Sequence, residues 1–592
     1  MGHSSTAVLG KHERGAFLAV ALLLLAYVAM RAATMPWVHD ECASLFWYVE
    51  RGEWLPGLAH WDANNHVLST VIGLLSYKLV GLSLLGSRIG SVLAFLLFAW
   101  AAWRLGQRVE RALVRWAMIL ALLLCPFLLD FFSLFRGYGL QMAFWLMALD
   151  GALAHARDRS TNSLIRALLA LVLANAAVLA LLPLWAAMVV FGLYFVLRRR
   201  PSGWKRHAFL VIMLGAVPVM LGAWLSVELK QRGLLYHGTL EGFVSVSIGT
   251  LCTYVLGAKS LVLAWVIMAM MAATLCIGVW LGRRDVLIVS GLFWADAALR
   301  IVMALMLGVN YPEDRAALHL VPLMVLAMAF SADTLAARTK HASWLILPLL
   351  FLPLRSSARW LLDLDDRTLL WPEQQISRGT VLALNDYAVH VRRPAVLGAY
   401  HQTCLSVPYA MRVNGLGAVV PMSEGFPGGD QDMRLADERF LARASVGYAE
   451  VDSWSDHPRL LQRKESLSLL PIAEQELSIL NNDAEFIELL HPDTLEPGVA
   501  YAIELDAAVT SDGYLDLHLV IELGEEEGLS GYRDDVPFAL FRPQWNGERL
   551  HVIRTFTSRS NAARQVIYLW NPTKQPVKEL RGALRLLRRT DG

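Results

Sequence analysis

Charge is scarce in this sequence. Only 18% of its 592 residues are Asp, Glu, Lys or Arg, while 56% are hydrophobic. A water-soluble chain of this length is about a quarter charged, so much of this one is built for a solvent other than water. Neither sign dominates: 53 Lys and Arg against 51 Asp and Glu leave +2, too balanced for a nucleic-acid partner. Cysteine is rare as well. The five copies (Cys42, Cys125, Cys252, Cys276 and Cys404) contain no C-x-x-C pair, which argues against a zinc site or a disulfide framework and for buried free thiols. Small residues of a signal-peptide cleavage site are missing after the first apolar segment, so that segment reads as a retained helix.

Long apolar runs are what the chain has in quantity. AFLAVALLLLAYVAM (16–30) and WAAMVVFGLYFVL (185–197) are typical of the first 355 residues, and beyond Arg355 charges return every few positions. A spanning helix needs about 20 mostly apolar residues, and about eleven candidates of roughly that kind are present, near 16–33, 87–103, 112–130, 138–155, 163–181, 183–197, 208–226, 260–281, 286–306, 316–335 and 342–355. The expected fold is therefore a polytopic α-helical membrane bundle over 1–355, a soluble mixed α/β region over 356–499 and a β-sandwich-like region over 500–592. That last assignment rests on period-two runs such as YAIELDAAV (501–509), YLDLHLVIEL (514–523) and LHVIRTF (550–556) separated by turn residues. The sandwich could bind carbohydrate or a protein, or simply cap the bundle. SEGFPGGDQD (423–432) is glycine-rich but too irregular for a phosphate loop.

Basic residues set an orientation. They cluster at KHER (11–14), RLGQRVERALVR (104–115), HARDRSTNSLIR (155–166), LRRRPSGWKRH (197–207), GRRD (282–285) and ARTKH (337–341), which are alternate loops in this reading. Basic loops stay cytoplasmic, so the N-terminus is expected inside and the C-terminal region outside. HVLSTVIGLLSYKLVG (66–81) carries Lys78, and counting it as a span would turn the 104–115 loop outward, so it is expected to lie along the outer interface.

The unusual polar residues then fall in the outer loops: MPWVHDECASLFWYVERGEWLPGLAHWDANNHVL (35–68), FFSLFRGYG (131–139), ELKQRGLLYHGTLEGF (228–243) and NYPEDRAALH (310–319). Ionisable groups in apolar-flanked loops are costly and point to a site. Asp40 is suited to act as a general base, or to cap the amphipathic helix it precedes, and the two roles are compatible. Asn64, Asn65 and His66 open the interfacial helix, as caps or as ligands. Arg88 begins a span, where it either snorkels or binds. Arg136 and Tyr138 lie on the outer side, where arginine is disfavoured without an anionic partner, and Arg315 either pairs locally with Glu313 or Asp314 or meets a ligand. Arginine's planar donor fork suits phosphate.

Taken together, HDE (39–41), YVERGEW (48–54), NNHVL (64–68), LLGSRIGSVLAF (84–95) and LFRGYGLQMAFW (134–145) resemble the GT-C class of polyprenyl-phosphate-dependent glycosyltransferases. The likeness is to the branch with the protein O-mannosyltransferases and lipid A aminoarabinose transferases. It covers about the first five helices, and YPEDRAALHLVPL (311–323) resembles the family's late arginine-containing loop. Two departures stand out: Val67 and Leu68 follow His66 where this branch usually has two prolines, and the second outer loop lacks an acid seen in some relatives. The resemblance implies transfer of a sugar, with inversion, from a polyprenyl-phosphate donor to a glycolipid, glycan or protein acceptor at the outer face of the cytoplasmic membrane. In it Asp40 is the base with Glu41 in support, and Arg88, Arg136, Tyr138, Arg315 and His66 hold the donor phosphate or lipid. His39, Asn64 and Asn65 face the acceptor or sugar. No metal or other cofactor is carried over. The alternative from another class is a lipid-linked saccharide transporter, which should place charge mid-membrane and repeat its halves; neither is apparent from the sequence.

Overall fold

The computed structural model describes residues 11–200, 203–235, 237–339, 347–360, 367–422, 431–452, 458–490, 495–525, 530–559 and 564–590. Most of the 423–432 segment therefore lies outside the described residues. The chain divides into two compact units, one of residues 1–35 and 54–369, the other of residues 36–53 and 370–592.

The first unit is helical and multi-pass. Among the described residues, six helices are long and apolar enough to cross a membrane: Lys11–Thr34, Leu84–Gly106, Leu179–Arg198, Trp204–Gln231, Leu261–Leu281 and Arg284–Leu307. A seventh is the pair Ala112–Leu123 and Pro126–Phe132, bent by 52°, where Pro126 starts the second helix because its ring cannot continue the first. Three further expected spans fall on Gly137–Asp158, Thr161–Ala177 and Leu320–Ala336, which are helices of other kinds. Gly137–Asp158 and Leu320–Ala336 bury nearly their whole circumference in the unit, and Thr161–Ala177 and Leu320–Ala336 are short apolar helices. The count of about eleven thus separates into seven helices fit to face lipid and three held largely by other helices. The eleventh, 342–355, falls partly outside the described residues. Val67–Val80 has 14 residues, too few to cross a bilayer, and buries one face through Ser69, Thr70, Gly73 and Leu74. Val244–Leu256, a further short apolar helix, was not anticipated.

Contacts among the described residues link five of the six basic clusters to one another. Asp150 is buried and takes Arg104 at 3.5 Å, Arg108 at 3.3 Å and Arg166 at 3.1 Å. Arg108 also reaches Asp285 at 3.8 Å, and Arg115 reaches Glu13 at 3.0 Å. The Arg111 guanidinium donates to the carbonyls of Asp333 and Ala336, beside the last cluster. His207 Nε2 lies 3.0 Å from the Thr161 hydroxyl. Acids placed sparingly among arginines have tied together loops that are far apart in sequence.

The second unit contains three sheets. β1 (Leu397–Ala399), β2 (Met433–Ala436), β3 (Tyr448–Asp452) and β4 (Arg459–Arg463) form one in the order β1-β2-β4-β3, with only β1 and β2 parallel. A parallel pair needs a crossover, and helix Ser406–Val413 lies in that connection. Together with helix Arg378–Val391 it covers a core of Val381, Leu384, Val407, Met411, Leu397 and Leu435. β5 (Leu469–Asn482), β6 (Phe486–Leu490), β7 (Ala500–Tyr514), β8 (His518–Leu523), β9 (Tyr532–Pro537), β10 (Gln544–Thr557), β11 (Gln565–Trp570) and β12 (Val577–Arg589) form two antiparallel sheets, ordered β10-β7-β12-β5 and β6-β11-β8-β9. These strands take up residues from 469 onward, so the sheets start upstream of residue 500. The buried Arg554 of β10 and Asp534 of β9 join them at 2.9 Å. Val396, Met422, Ala502, Ile553 and Leu587 form a cluster that fastens the α/β part to the first of them.

Candidate functional site

The residues singled out in the sequence are divided between the two units. His39, Asp40 and Glu41 belong to the second unit, and the other seven belong to the first.

In the second unit, His39–Ser44 forms one and a half turns of helix and continues into a wider turn at Leu45–Val49. The cap of that helix is not Asp40. Glu41, fully buried, reaches back so that its carboxylate accepts the Val38 amide at 3.2 Å, the return arm of a capping box. Asp40 is half-buried, and its carbonyl, not its carboxylate, accepts the Ser44 hydroxyl at 2.9 Å. The alternative of Asp40 as cap therefore yields to Glu41, whose carboxylate does backbone work.

This loop is fixed by residues more than 300 positions later. Gln375 donates to the Pro36 carbonyl at 2.8 Å, and the His39 amide donates to Gln374 Oε1 at 3.1 Å. Trp37 stacks on Tyr409 with centroids 4.0 Å apart. Glu50 is enclosed and receives Arg412 at 2.6 and 3.2 Å. Arg51 pairs with Asp516 at 2.9 Å and donates to the Tyr514 hydroxyl at 3.2 Å. Burial pushes that hydroxyl up to about 12, so it stays neutral and accepts. The YVERGEW motif is thus a set of anchors for the Asp40 loop.

In the first unit the geometry gathers three of the sought residues. Arg136 stands at the N-cap of Gly137–Asp158 with extended backbone (φ −138°, ψ 153°), and its own side chain makes no capping hydrogen bond. Its guanidinium lies 5.8 Å from the Tyr138 ring centre. Tyr138 in turn meets the His66 ring edge-on at 5.1 Å. All three are buried. Glycine makes this approach possible: a Cβ at Gly137 would fall on the Ala177 carbonyl oxygen and stand 3.0 Å from His66 Cβ, and one at Gly139 would stand 2.7 Å from the Phe131 carbonyl oxygen. The FRGYG motif is therefore steric as well as chemical.

The remaining residues have other placements. Asn65 donates to the Trp54 carbonyl and accepts from Thr70, both at 3.2 Å. The Asn64 amide is held by Asp62 at 2.9 Å. His66 occupies the N-cap position without a side-chain cap bond. Arg88 does not snorkel: it is fully buried and donates to the carbonyls of Ala32 and Met35 at 3.1 and 2.7 Å, satisfying the open end of helix Lys11–Thr34. Arg315 has the expected local partner, Asp314, at 3.5 Å. Asp314 adopts a left-handed backbone (φ 39°) and also faces His237 at 3.4 Å.

Two groups were not singled out from the sequence. Asp130, one residue before the second outer loop, is buried against Arg31 at 2.8 Å and accepts the Leu369 amide at 3.1 Å. That places an acid beside the loop that lacks one. At mid-span of Arg284–Leu307, Asp296 pairs with Arg300 at 2.7 Å and with His319 at 3.1 Å, and Arg300 also donates to the Ala180 carbonyl at 2.6 Å. An Asp and an Arg four residues apart inside an apolar span were the available signal; this charge corrects the reading that no ionisable group lies mid-membrane. Among the described residues no group of three or more His, Cys, Asp and Glu gathers as a metal site would require.

No protein-family model matches the chain, and no curated protein matches it. Among solved structures it is similar to ArnT from Cupriavidus metallidurans in the apo state, with TM-score 0.46 and 13% identity over 76% of this chain and 97% of that one. It is likewise similar to ArnT from Cupriavidus metallidurans bound to undecaprenyl phosphate, with TM-score 0.44 and 13% identity over 77% of this chain and 98% of that one.

Proposed function

We propose that this chain is a membrane glycosyltransferase that moves a sugar from a polyprenyl-phosphate donor to an acceptor at the outer face of the cytoplasmic membrane. One observation carries the reading: Arg136, Tyr138 and His66 converge at the N-terminus of a 22-residue helix whose N-cap residue is Arg136 itself. The amides of a helix N-terminus and a guanidinium together favour an anion. A phosphate leaving an anomeric carbon needs that positive charge as its own negative charge develops. Support for this sidedness comes from the other end of the same helix, where Asp150 and Arg166 join the basic loops. Basic loops tend to be cytoplasmic, which supports reading the Arg136 end as the outer one.

In this mechanism Asp40 takes the proton of the acceptor hydroxyl or amine, the acceptor attacks the anomeric carbon, and the polyprenyl phosphate leaves with its charge against Arg136 and His66. Arg315 is a second phosphate contact. Arg88 acts as a positioning residue through the end of the first helix. Transfer from a radiolabelled polyprenyl-phosphate sugar tests the reading with Arg136→Gln in the full-length protein: a loss of at least a hundredfold with the fold intact is expected. Wild-type protein inert toward every such donor would remove the enzyme reading.

A second reading, a transporter of lipid-linked saccharides, is favoured by the Asp296–Arg300–His319 group at mid-span. Flipping of a fluorescent polyprenyl-phosphate sugar in liposomes, without transfer to any acceptor, would select it.

A further inference from the structure

The helical unit contains an apolar groove of about 700 Å³ with charge at one end only. His155, Arg159 and Arg284 stand at that end, among the basic loops. Along the helix from Arg284 to Ala295, the far lining residue, the rise is about 16 Å, roughly one leaflet of a hydrocarbon core about 30 Å thick. Arg159 and Arg284 are exposed, and neither makes an ion pair among the described residues. The acids nearby are already engaged: Asp158 accepts the Ser160 amide at 2.8 Å and the Ser163 hydroxyl at 3.1 Å, and Asp285 faces Arg108 at 3.8 Å. Arg159 ends its helix in the left-handed region (φ 55°), where glycine or asparagine is usual.

We propose that this groove binds a glycerophospholipid with an anionic headgroup, one acyl chain lying between the helices and the phosphate on Arg159 and Arg284. Basic pockets between membrane helices take anionic headgroups in this way, and the volume is that of a small-molecule site. The groove lies at the basic-loop end, opposite the end of Gly137–Asp158 that holds Arg136. It is thus a separate site, and its occupancy does not depend on the transferase reading.

Native mass spectrometry of the full-length protein in mild detergent tests this, with phosphatidylglycerol and phosphatidylcholine as probes. Wild-type protein should retain phosphatidylglycerol about tenfold over phosphatidylcholine, and Arg159→Gln/Arg284→Gln should bind the two alike. Gly192 and Gly291 line the groove with open space where a Cβ would be. Gly291→Phe, or Gly192→Phe where the first does not fold, should expel phosphatidylglycerol with both arginines in place. Retention by the filled-groove variant would overturn the site, as would equal retention of both lipids by wild type. Displacement of phosphatidylglycerol by equimolar undecaprenyl phosphate would overturn the choice of occupant.

Discussion

Glu50, shut away from solvent, takes both arms of Arg412, a residue 362 positions later, at 2.6 and 3.2 Å. The pair fastens the start of the chain's first long loop to the helix Ser406–Val413. Removing one partner of such a pair strands the other charge, at a cost of about 3 kcal/mol. Arg412→Ala should therefore lower the unfolding midpoint of the full-length protein. Arg412→Met paired with Glu50→Leu should recover most of the loss, because neither charge is left alone. Differential scanning fluorimetry on the three proteins decides it.

His518 supplies a pH dependence. Burial works against its charge, but hydrogen bonds to Asp516 at 3.1 Å and Asp535 at 2.7 Å outweigh burial and raise its pKa. Burial likewise opposes the Asp516 carboxylate, yet His518 and Arg51 hold its pKa below the usual value. A raised histidine stabilises fully below its unfolded pKa of about 6.5, and that contribution is lost as pH rises through the folded value. A depressed Asp516 stabilises above about 3.9 and loses that effect as pH falls. The advantage of wild type over His518→Gln should thus be largest between those limits and shrink on the alkaline side. Unfolding midpoints from pH 4 to 9 would show it, and a constant difference would exclude it.

Gly137 should not tolerate a methyl group. Its Cβ would meet the Ala177 carbonyl and His66, both on other elements, and overpacking of this sort costs about 1–3 kcal/mol. Gly192→Ala meets open space and should be neutral or slightly stabilising, since alanine is the better helix former by about 1 kcal/mol. On the proposed transferase reading, Gly137→Ala should also weaken retention of a polyprenyl phosphate, whereas Gly192→Ala should leave it unchanged. Thermal unfolding and lipid retention, measured on both, separate a steric role from general fragility.

What could be read in the sequence follows from what periodicity records. Apolar length located the spans, and alternation located β7, β8 and β10, because each pattern is local. The basic loops were legible too, and Asp150 with Arg104, Arg108 and Arg166 gives them a common end. β5 escaped notice because it is an edge strand, mostly exposed and with Pro471 near its start, so it lacks a buried face to alternate. The Asp40 loop's partners, Gln374, Gln375, Tyr409 and Arg412, are more than 330 residues away, beyond any local signal. For the same reason Asp130 gave no hint of Arg31. The convergence of His66 with Tyr138 also depends on two glycines whose role is visible only once Ala177 and Phe131 are in place.

Asp296, Arg300 and His319 form a group whose members cannot be removed singly. Asp296→Ala leaves two basic side chains facing each other in an apolar interior, a loss of about 3 kcal/mol or more. Asp296→Asn/Arg300→Gln keeps hydrogen bonding without charge and should restore much of it. In a transferase the double variant should keep transfer per folded molecule within about threefold of wild type. Near-complete loss of transfer by a stable double variant would instead make the group part of the transfer machinery.

Asp40 and Glu41 are adjacent, both acidic, and placed for different work. Glu41 spends its carboxylate on the Val38 amide at 3.2 Å with no exposure, while Asp40 is half-buried and its carbonyl accepts the Ser44 hydroxyl. Cap removal costs about 1 kcal/mol, whereas loss of a general base costs about 10²–10⁴ in rate. Glu41→Gln keeps an acceptor oxygen for the Val38 amide and should retain most of both stability and transfer. Glu41→Ala should lose about 1 kcal/mol of stability. Asp40→Asn is nearly isosteric and leaves the cap untouched, so its unfolding midpoint should match wild type while transfer falls a hundredfold or more. Because that variant separates folding from chemistry, undiminished transfer by Asp40→Asn would remove Asp40 as the base without disturbing the assignment of Arg136 to the phosphate.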